Sequence, residues 1–124
     1  MTVKNKYPLP LISKLVSQLR GARYFNKLDV RWGFNNVCIK PGDEWKAVFR
    51  TNRGLFEPLV MFFGMTNSLA TFQTMMNNIF RDLIAEGIMV VYLDDILIFT
   101  RTEEEHAKAI YHKRSLTCFM MNWI

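Results

Sequence analysis

The chain has 124 residues, of which 50% are hydrophobic and 14% aromatic, so it can close one small hydrophobic core but not two. No apolar run reaches the roughly 18 residues that a membrane span needs, and MTVKNKYPLP at the start lacks the apolar stretch of a secretion signal, so we expect a soluble intracellular protein without membrane contact. Residues 1–53 hold 11 Lys and Arg against 3 Asp and Glu, and residues 54–124 hold 5 against 8, so the basic half is either a surface for nucleic acid or a solvated face.

The first half of the chain predicts one short helix followed by strands and turns. An extended lead-in at residues 7–10 (YPLP) precedes apolar residues at helical spacing that stop before Gly21, which predicts a short amphipathic helix. The predicted strands, separated by a bend at Trp32-Gly33 and by turns at 40–43 and 52–54, are residues 24–30, 36–40, 45–51 and 55–63.

The second half predicts a long helix, a hairpin and a last helix. Thr66 or Asn67 can cap the long helix, whose apolar stripe ends before Gly87. Its members are Leu69, Phe72, Met76, Ile79, Phe80, Leu83 and Ile84. Residues 88–92 and 96–100 form two strands joined only by LDD, and the last helix starts after the cap Thr102.

The two cysteines, Cys38 and Cys118, stand far apart with no CxxC spacing and no histidine nearby. This pattern predicts reduced, buried thiols rather than metal ligands or a disulfide.

The adjacent acids Asp94 and Asp95 stand where a tight hairpin normally carries glycine. Two carboxylates at 4 Å repel by about 4 kcal/mol at an effective dielectric near 20, and a divalent cation removes that repulsion. Oxygen ligands without nearby histidine or cysteine favour Mg²⁺ over zinc, and an ion held in this way indicates phosphoryl-transfer chemistry.

Asp29 is a further candidate ligand, because it follows Leu28 and precedes Val30 in an apolar strand where an unpaired charge is unfavourable. Three of the five aspartates thus lie at or beside apolar strands. The alternative is an exposed polar turn at 94–95, with Asp29 paired to Lys27 or Arg31. The residues alone leave both explanations open.

Several motifs resemble one enzyme family. YLDD at residues 92–95 resembles the YxDD signature of reverse transcriptases, and KLDVRWGFNNVCI resembles the strand that carries the first catalytic aspartate of that family. EWKAVFRTNRGLFE, VMFFGMTNSLATFQ and VVYLDDILIFTRTEEEH continue the match in order and spacing. Over about residues 3–110 the chain is therefore similar to the polymerase domain of LTR retrotransposons of the Ty3/gypsy type.

This resemblance implies an α+β fold, namely a polymerase palm in which a small antiparallel sheet is backed by helices, with part of the fingers inserted. It implies that Asp29, Asp94 and Asp95 are catalytic and bind two Mg²⁺ or Mn²⁺ ions about 3.5–4 Å apart. The backbone carbonyl of Val30 is implied as a further metal ligand. The ions would join the primer 3′ hydroxyl and the dNTP phosphates for RNA-directed DNA synthesis.

The resemblance also implies substrate contacts. Phe34 would lie beneath the incoming sugar and exclude a 2′ hydroxyl, although ordinary core packing is the alternative. Phe63 and Gly64 would line the nucleotide pocket, with Gln73 on the following helix, and Tyr92 would pack near the primer terminus. Arg50 and Arg53 are candidates for template phosphates.

The implied partners are an RNA or DNA template with its primer, dNTPs, and the remainder of the retroelement polyprotein, in the cytoplasm, nucleus or virus-like particle. The family pattern is altered at four places, which are Phe34, Asn35-Asn36, Phe62 and Leu69. These changes leave the three aspartates intact.

The resemblance divides the chain into a partial reverse transcriptase domain (residues 1–110) and a divergent tail (residues 111–124), which a frameshift or a mis-spliced gene would explain. Because fingers segments, thumb and RNase H regions are expected to be missing, we expect weak metal binding and no primer extension by this chain alone. The alternative function is a noncatalytic remnant that binds nucleic acid or the proteins of the element.

Overall fold

The computed structural model describes residues 3–117 and 121–123, with side chains for residues 3–111. In chain order the elements are α1 (Ile12–Gln18), β1 (Tyr24–Val30), two 3₁₀ helices (Gly33–Asn36 and Glu44–Ala47), β2 (Phe49–Thr51), β3 (Gly54–Phe56), α2 (Ser68–Ile79), α3 (Arg81–Ala85), β4 (Met89–Tyr92), β5 (Asp95–Thr100), α4 (Glu103–Thr117) and β6 (Met121–Trp123). Within these residues no helix is long and apolar enough to cross a membrane.

Four strands form an antiparallel sheet in the order β4-β5-β1-β6, and β2 and β3 form a separate two-stranded ribbon. The strands β4 and β5 are a hairpin, and β1 lies between β5 and β6. The predicted α+β architecture, an antiparallel sheet backed by helices, is confirmed.

The core lies between one face of this sheet and the helices. Alternate residues of β1 and β5 point into it, as expected for the two-residue period of a strand. The buried apolar side chains of this core cluster are Leu28, Val30, Phe34, Met61, Phe72, Met76, Phe80, Leu83, Met89, Val91, Ile96, Ile98 and Ala109. The cluster packs this face of the sheet against α2 and α3.

The last helix is held by a buried polar group as well as by packing. The His106 ring places Nδ1 3.0 Å from Thr100 Oγ1 and Nε2 3.1 Å from Asn26 Oδ1, which joins α4 to β5 and β1. The predicted cap is confirmed, because the Glu105 backbone N–H donates to Thr102 Oγ1. Helix α4 continues past residue 110 to Thr117.

The segment between β1 and α2 differs from the predicted strands. Residues 36–40 contain one isolated bridge, Cys38 to Val60, and residues 44–47 form a 3₁₀ helix before a strand begins at Phe49. Phe49, Leu55 and Phe56, which are apolar residues of the predicted strands 45–51 and 55–63, lie in a ribbon whose residues are all exposed. Residues favour strands when they can pack against a neighbouring surface. Among the described residues, each strand of this ribbon pairs only with the other.

Two further expectations need correction. Cys38 is an exposed free thiol, because its neighbours Val37 and Ile39 pack against the core and the alternation points Cys38 outward. Cys118 lies outside the described residues. The single long helix is two helices, α2 and α3, divided at Phe80, where the backbone leaves helical geometry.

The predicted amphipathic helix α1 forms, but it contributes no buried residue. Leu11, Ile12 and Val16 are 71%, 61% and 59% exposed. Leu15 and Leu19 are half-buried. Most of the apolar side therefore faces solvent, in contrast to the expectation for an amphipathic helix on a core.

The lead-in (residues 3–10) lies along α2. Asn67, at the N-cap position of α2, makes no capping side-chain hydrogen bond. Its side chain instead accepts from the Asn5 backbone N–H at 2.9 Å and donates to the Val3 carbonyl at 2.8 Å. Near the other end of α2, Asn77 Nδ2 donates to the Tyr7 hydroxyl at 2.7 Å.

Candidate active site

Strand pairing places Asp29 directly opposite Asp95. The β1–β5 register joins these two residues at the end of the ladder, and directly opposed residues of an antiparallel pair project from the same face. Leu28, Val30 and Ile96 alternate with them and are buried. The apolar residues fix the register, and the register brings the two acids together.

The turn that carries Asp94 is tied to the end of β1. Tyr92 pairs with Asp95, so the hairpin is closed by the two residues Leu93 and Asp94. Leu93 has a φ of 53°, a left-handed conformation that a non-glycine residue rarely adopts. The Val30 backbone N–H donates to the Asp94 carbonyl at 3.0 Å, which joins this turn to the strand of Asp29.

The Asp94 carboxyl group is held in an unfavourable environment. Its Oδ1 atom is buried and has no hydrogen-bond partner among the residues that the structure describes. Burial raises the pKa of the Asp94 carboxyl group above its ordinary value, and the carboxylates of Asp29 and Asp95 raise it further. An ionised Asp94 therefore destabilises the protein unless a cation lies beside it.

Gly33 makes room for this carboxyl group. A Cβ atom at position 33 would overlap Asp94 Oδ1 and would lie 2.8 Å from Cζ of Phe72. Only glycine therefore fits between the turn and the ring.

Asp95 has a cation of its own in this structure. Lys27 Nζ lies 3.0 Å from Asp95 Oδ1, and both side chains are more than half exposed. Lys27 thus pairs with Asp95, whereas the sequence alternative paired it with Asp29. In the described part of the chain, no three acidic, histidine or cysteine side chains converge closely enough to enclose a metal ion.

Asp94→Asn is expected to stabilise the metal-free protein by about 1 kcal/mol at pH 7, because it removes a partly buried charge. A raised native pKa means that the native state binds the proton more tightly than the unfolded state. Wild-type stability is therefore lost as pH rises from the ordinary aspartate pKa through the raised native value. The higher free energy of unfolding of Asp94→Asn relative to wild type should be present at pH 7 and nearly absent at pH 3.

Urea unfolding in EDTA at both pH values measures this difference. Glu57→Gln, which neutralises an exposed carboxylate, is the control and should change little. A variant less stable than wild type at pH 7 would contradict the assignment of strain to Asp94.

The aromatic residues predicted to bind substrate lie in one cluster beside this turn. Phe34 is 6% exposed and contacts Phe72, with ring centroids 4.9 Å apart, and Phe63, with centroids 5.6 Å apart and edge-to-face geometry. Phe63 itself is 77% exposed. Phe34 is thus a core residue in contact with an exposed ring, a placement consistent with packing and with the predicted substrate contact.

The other predicted contacts lie around the same region or on the ribbon. Gly64 follows Phe63 with a φ of 105°, and Tyr92 is half-buried at the end of β4. Arg50 and Arg53 lie on the exposed ribbon, at β2 and at its turn. These functional roles stay predictions.

Gln73 is the residue whose role the sequence did not reveal. It is fully buried on α2, where Oε1 accepts from the Leu93 backbone N–H at 2.8 Å and Nε2 donates to the Val91 carbonyl at 3.1 Å. A glutamine directly after Phe72, within the apolar stripe of the predicted helix, was the available signal. Its amide holds the turn that carries Asp94.

Comparisons with known proteins identify the family of this chain. A family model described as reverse transcriptase (RNA-dependent DNA polymerase) matches residues 1–119. An RNA-directed DNA polymerase homolog of Oenothera berteroana is 43% identical over 114 residues, which are 92% of this chain and 80% of that protein. The Transposon Tf2-3 polyprotein of Schizosaccharomyces pombe is 42% identical over 106 residues, 86% of this chain but 8% of the polyprotein.

Solved structures share the fold. The foamy viral protease-reverse transcriptase in complex with RNA/DNA hybrid matches with a TM-score of 0.82 and 19% identity, covering 96% of this chain and 16% of that one. The same protein in a form with double-stranded DNA gives a TM-score of 0.83 at 20% identity, covering 94% and 20%. The chain thus spans less than a fifth of the retroelement polyprotein and about a fifth or less of these viral chains. The family match and the Oenothera relative confirm the resemblance inferred from the motifs, and the chain belongs to the reverse transcriptase (RNA-dependent DNA polymerase) family.

Proposed function

We propose that this chain supplies the catalytic palm of an RNA-directed DNA polymerase that adds dNTPs to a primer 3′ end. The observation that carries this proposal is the meeting of Asp29 and Asp95 across β1 and β5, beside a turn where Asp94 Oδ1 is buried and, within the described part of the chain, has no hydrogen-bond partner. A cation would stabilise a buried carboxylate oxygen that has no hydrogen-bond donor beside it.

The carboxylates fit divalent ions by their chemistry. Asp29, Asp94 and Asp95 would hold two Mg²⁺ or Mn²⁺ ions, with the Val30 carbonyl as a further ligand. Bound ions of this kind make the primer hydroxyl more acidic and neutralise charge on the nucleotide phosphates. Lys27 would first have to leave Asp95, which requires little energy because exposed ion pairs contribute about 0–1 kcal/mol.

The aromatic cluster would position the nucleotide. In this proposal Phe34 forms the floor beneath the sugar, supported from below by Phe72. Phe63 and Gly64 line the side of the pocket, and Tyr92 packs near the primer terminus. The Phe34 ring excludes a 2′ hydroxyl by its volume alone, so it needs no polar group.

The substrates and partners follow from the family. The structural neighbours were solved with an RNA/DNA hybrid and with double-stranded DNA, which supports a template–primer duplex as the substrate here. We propose that residues 1–110 form the partial polymerase domain and that residues 111–124 form a divergent tail. The natural partner would be the rest of a retroelement polyprotein. The site of action would be the cytoplasm, the nucleus or a virus-like particle.

A metal titration tests the central assignment. We expect this chain to bind Mn²⁺ weakly, as measured by electron paramagnetic resonance, and Asp94→Asn/Asp95→Asn to lose that binding. The matched control Glu103→Gln/Glu104→Gln also removes two adjacent acids, at the start of α4, and should bind as wild type. Binding that survives in the Asp94/Asp95 double variant would overturn the metal site.

Primer extension on poly(rA)/oligo(dT) tests turnover. We expect no incorporation, because the chain spans a small part of its longer relatives and alignment of both substrates supplies much of the rate. Incorporation that the double variant loses would establish the reaction and contradict the expected inactivity.

A binding module is the second candidate function. The ribbon of β2 and β3 supports it, because Phe49 and Phe56 stack at 6.0 Å in an exposed position while Arg50 lies on the same ribbon. Aromatic and cationic groups together favour single-stranded nucleic acid. Binding of a labelled single-stranded oligonucleotide that persists in Asp94→Asn/Asp95→Asn but falls in Arg50→Gln/Arg53→Gln would favour this function.

A further inference from the structure

A continuous line of side-chain hydrogen bonds runs from the lead-in to the turn at Leu93-Asp94, which we call the active-site turn. It begins at the Tyr7 hydroxyl, which accepts from Asn77 Nδ2 at 2.7 Å. Asn77 Oδ1 accepts from Gln73 Nε2 at 3.0 Å. Gln73 then contacts the backbone of the turn through the Leu93 N–H and the Val91 carbonyl.

The backbone dictates the direction of every bond in this line. Because the Leu93 N–H can only donate and the Val91 carbonyl can only accept, the Gln73 amide has one allowed orientation. The second N–H of Gln73 therefore points at Asn77 and requires an acceptor there. Asn77 must present its oxygen to Gln73 and its NH₂ group to Tyr7.

The residue at the inner end of the line is conformationally strained. Leu93 adopts a φ of 53°, which requires support from the surrounding structure in a non-glycine residue. Leu93 follows β4, which is at the edge of the described sheet. Because no further described strand lies beside β4 there, the support for Leu93 comes from Gln73 on α2. Leu93 immediately precedes Asp94 and Asp95.

We propose that Tyr7 and Asn77 are positioning residues of the active-site turn: they hold the Gln73 amide in the orientation that fixes Leu93 and, through it, the two aspartates. The consequence for catalysis rests on the proposed function. The positioning itself rests on the hydrogen bonds and is testable without metal or substrate.

Tyr7→Phe removes one hydroxyl from a residue that is 36% exposed, so the fold should persist. We expect hydrogen exchange of the Leu93 amide, measured by NMR in EDTA, to become about fivefold faster, as expected for one neutral hydrogen bond. The Ile98 amide, in the middle of β5, should change little. Tyr24→Phe is the control, because Tyr24 is 38% exposed and lies at the end of β1 away from Asp29.

Two variants at Asn77 separate positioning from general stability. Asn77→Leu breaks the line and should accelerate exchange at Leu93 at least as much, and Tyr7→Phe should then add nothing further in that background. Asn77→Asp can still accept from Gln73 and can accept from the Tyr7 hydroxyl, so its exchange should stay close to wild type.

Unchanged Leu93 exchange in both Tyr7→Phe and Asn77→Leu would overturn the proposal. Equal acceleration at Leu93 and Ile98 would also overturn it, since that result indicates general destabilisation. Mn²⁺ affinity should fall by a similar factor in the same two variants. If the wild type binds no Mn²⁺, the proposed function fails, whereas the exchange result still decides the positioning role.

Discussion

Replacing Gly33 with alanine is expected to lower the free energy of unfolding by about 1–3 kcal/mol, the usual effect of overfilling a packed site. The new methyl group would overlap Asp94 Oδ1 and press on the Phe72 ring, which is fully buried and has no room to retreat. The Asp94 carboxyl group can move outward, so we also expect Mn²⁺ binding to weaken by more than the loss of stability alone would cause.

Urea unfolding and Mn²⁺ titration of the same samples measure the two effects. Asn35→Ala is the matched control, because it changes an exposed residue of the same 3₁₀ helix and should alter neither quantity. A Gly33→Ala protein with wild-type stability and metal affinity would show that Asp94 does not need the space beside residue 33.

Replacing Gln73 with leucine is expected to destabilise the protein by at least about 2 kcal/mol. Leucine has a similar volume, but it removes the partner of the buried Val91 carbonyl and the partner of the half-buried Leu93 N–H. Each unsatisfied group is unfavourable by about 1–3 kcal/mol. Leu93 would then have no bond to α2 that holds its left-handed conformation.

Chemical unfolding measures the loss, and Gln18→Leu is its control. Gln18 is also a helical glutamine, but it is exposed on α1, so the same change there should have a small effect. Equal destabilisation by both substitutions would indicate a general effect of adding leucine rather than loss of the turn contacts.

The elements that the sequence predicted well carry local signals. Helix α4 begins after the cap Thr102, and the hairpin of β4 and β5 follows two apolar runs around a short polar turn. The strands predicted between residues 36 and 63 were wrong over most of their length, because an alternating pattern does not say whether a partner surface exists. The break at Phe80 lacks any proline or glycine that could have signalled it.

The sequence predicted which acidic residues form the candidate active site, but it did not predict the contacts that position them. The placement of Asp29 opposite Asp95 matches the resemblance, and the metal-binding role of both stays a prediction. The partner of Lys27 is Asp95 rather than Asp29, a choice that depends on strand register. The contacts of Gln73, Asn77 and Tyr7 depend on how the lead-in, α2 and the turn meet in space, which no local pattern encodes.

Strand β1 can pair with β5 only after the residues between these two strands have been made. Asp29 and Asp95 are 66 positions apart (95 − 29), and α2 and α3 lie in the interval. Contacts over such long separations form late, since a large loop must close before they can be made. A nascent chain on the ribosome therefore has no acidic pair until β5 emerges from the exit tunnel, and a misfolded hairpin would leave Asp29 without its carboxylate neighbour.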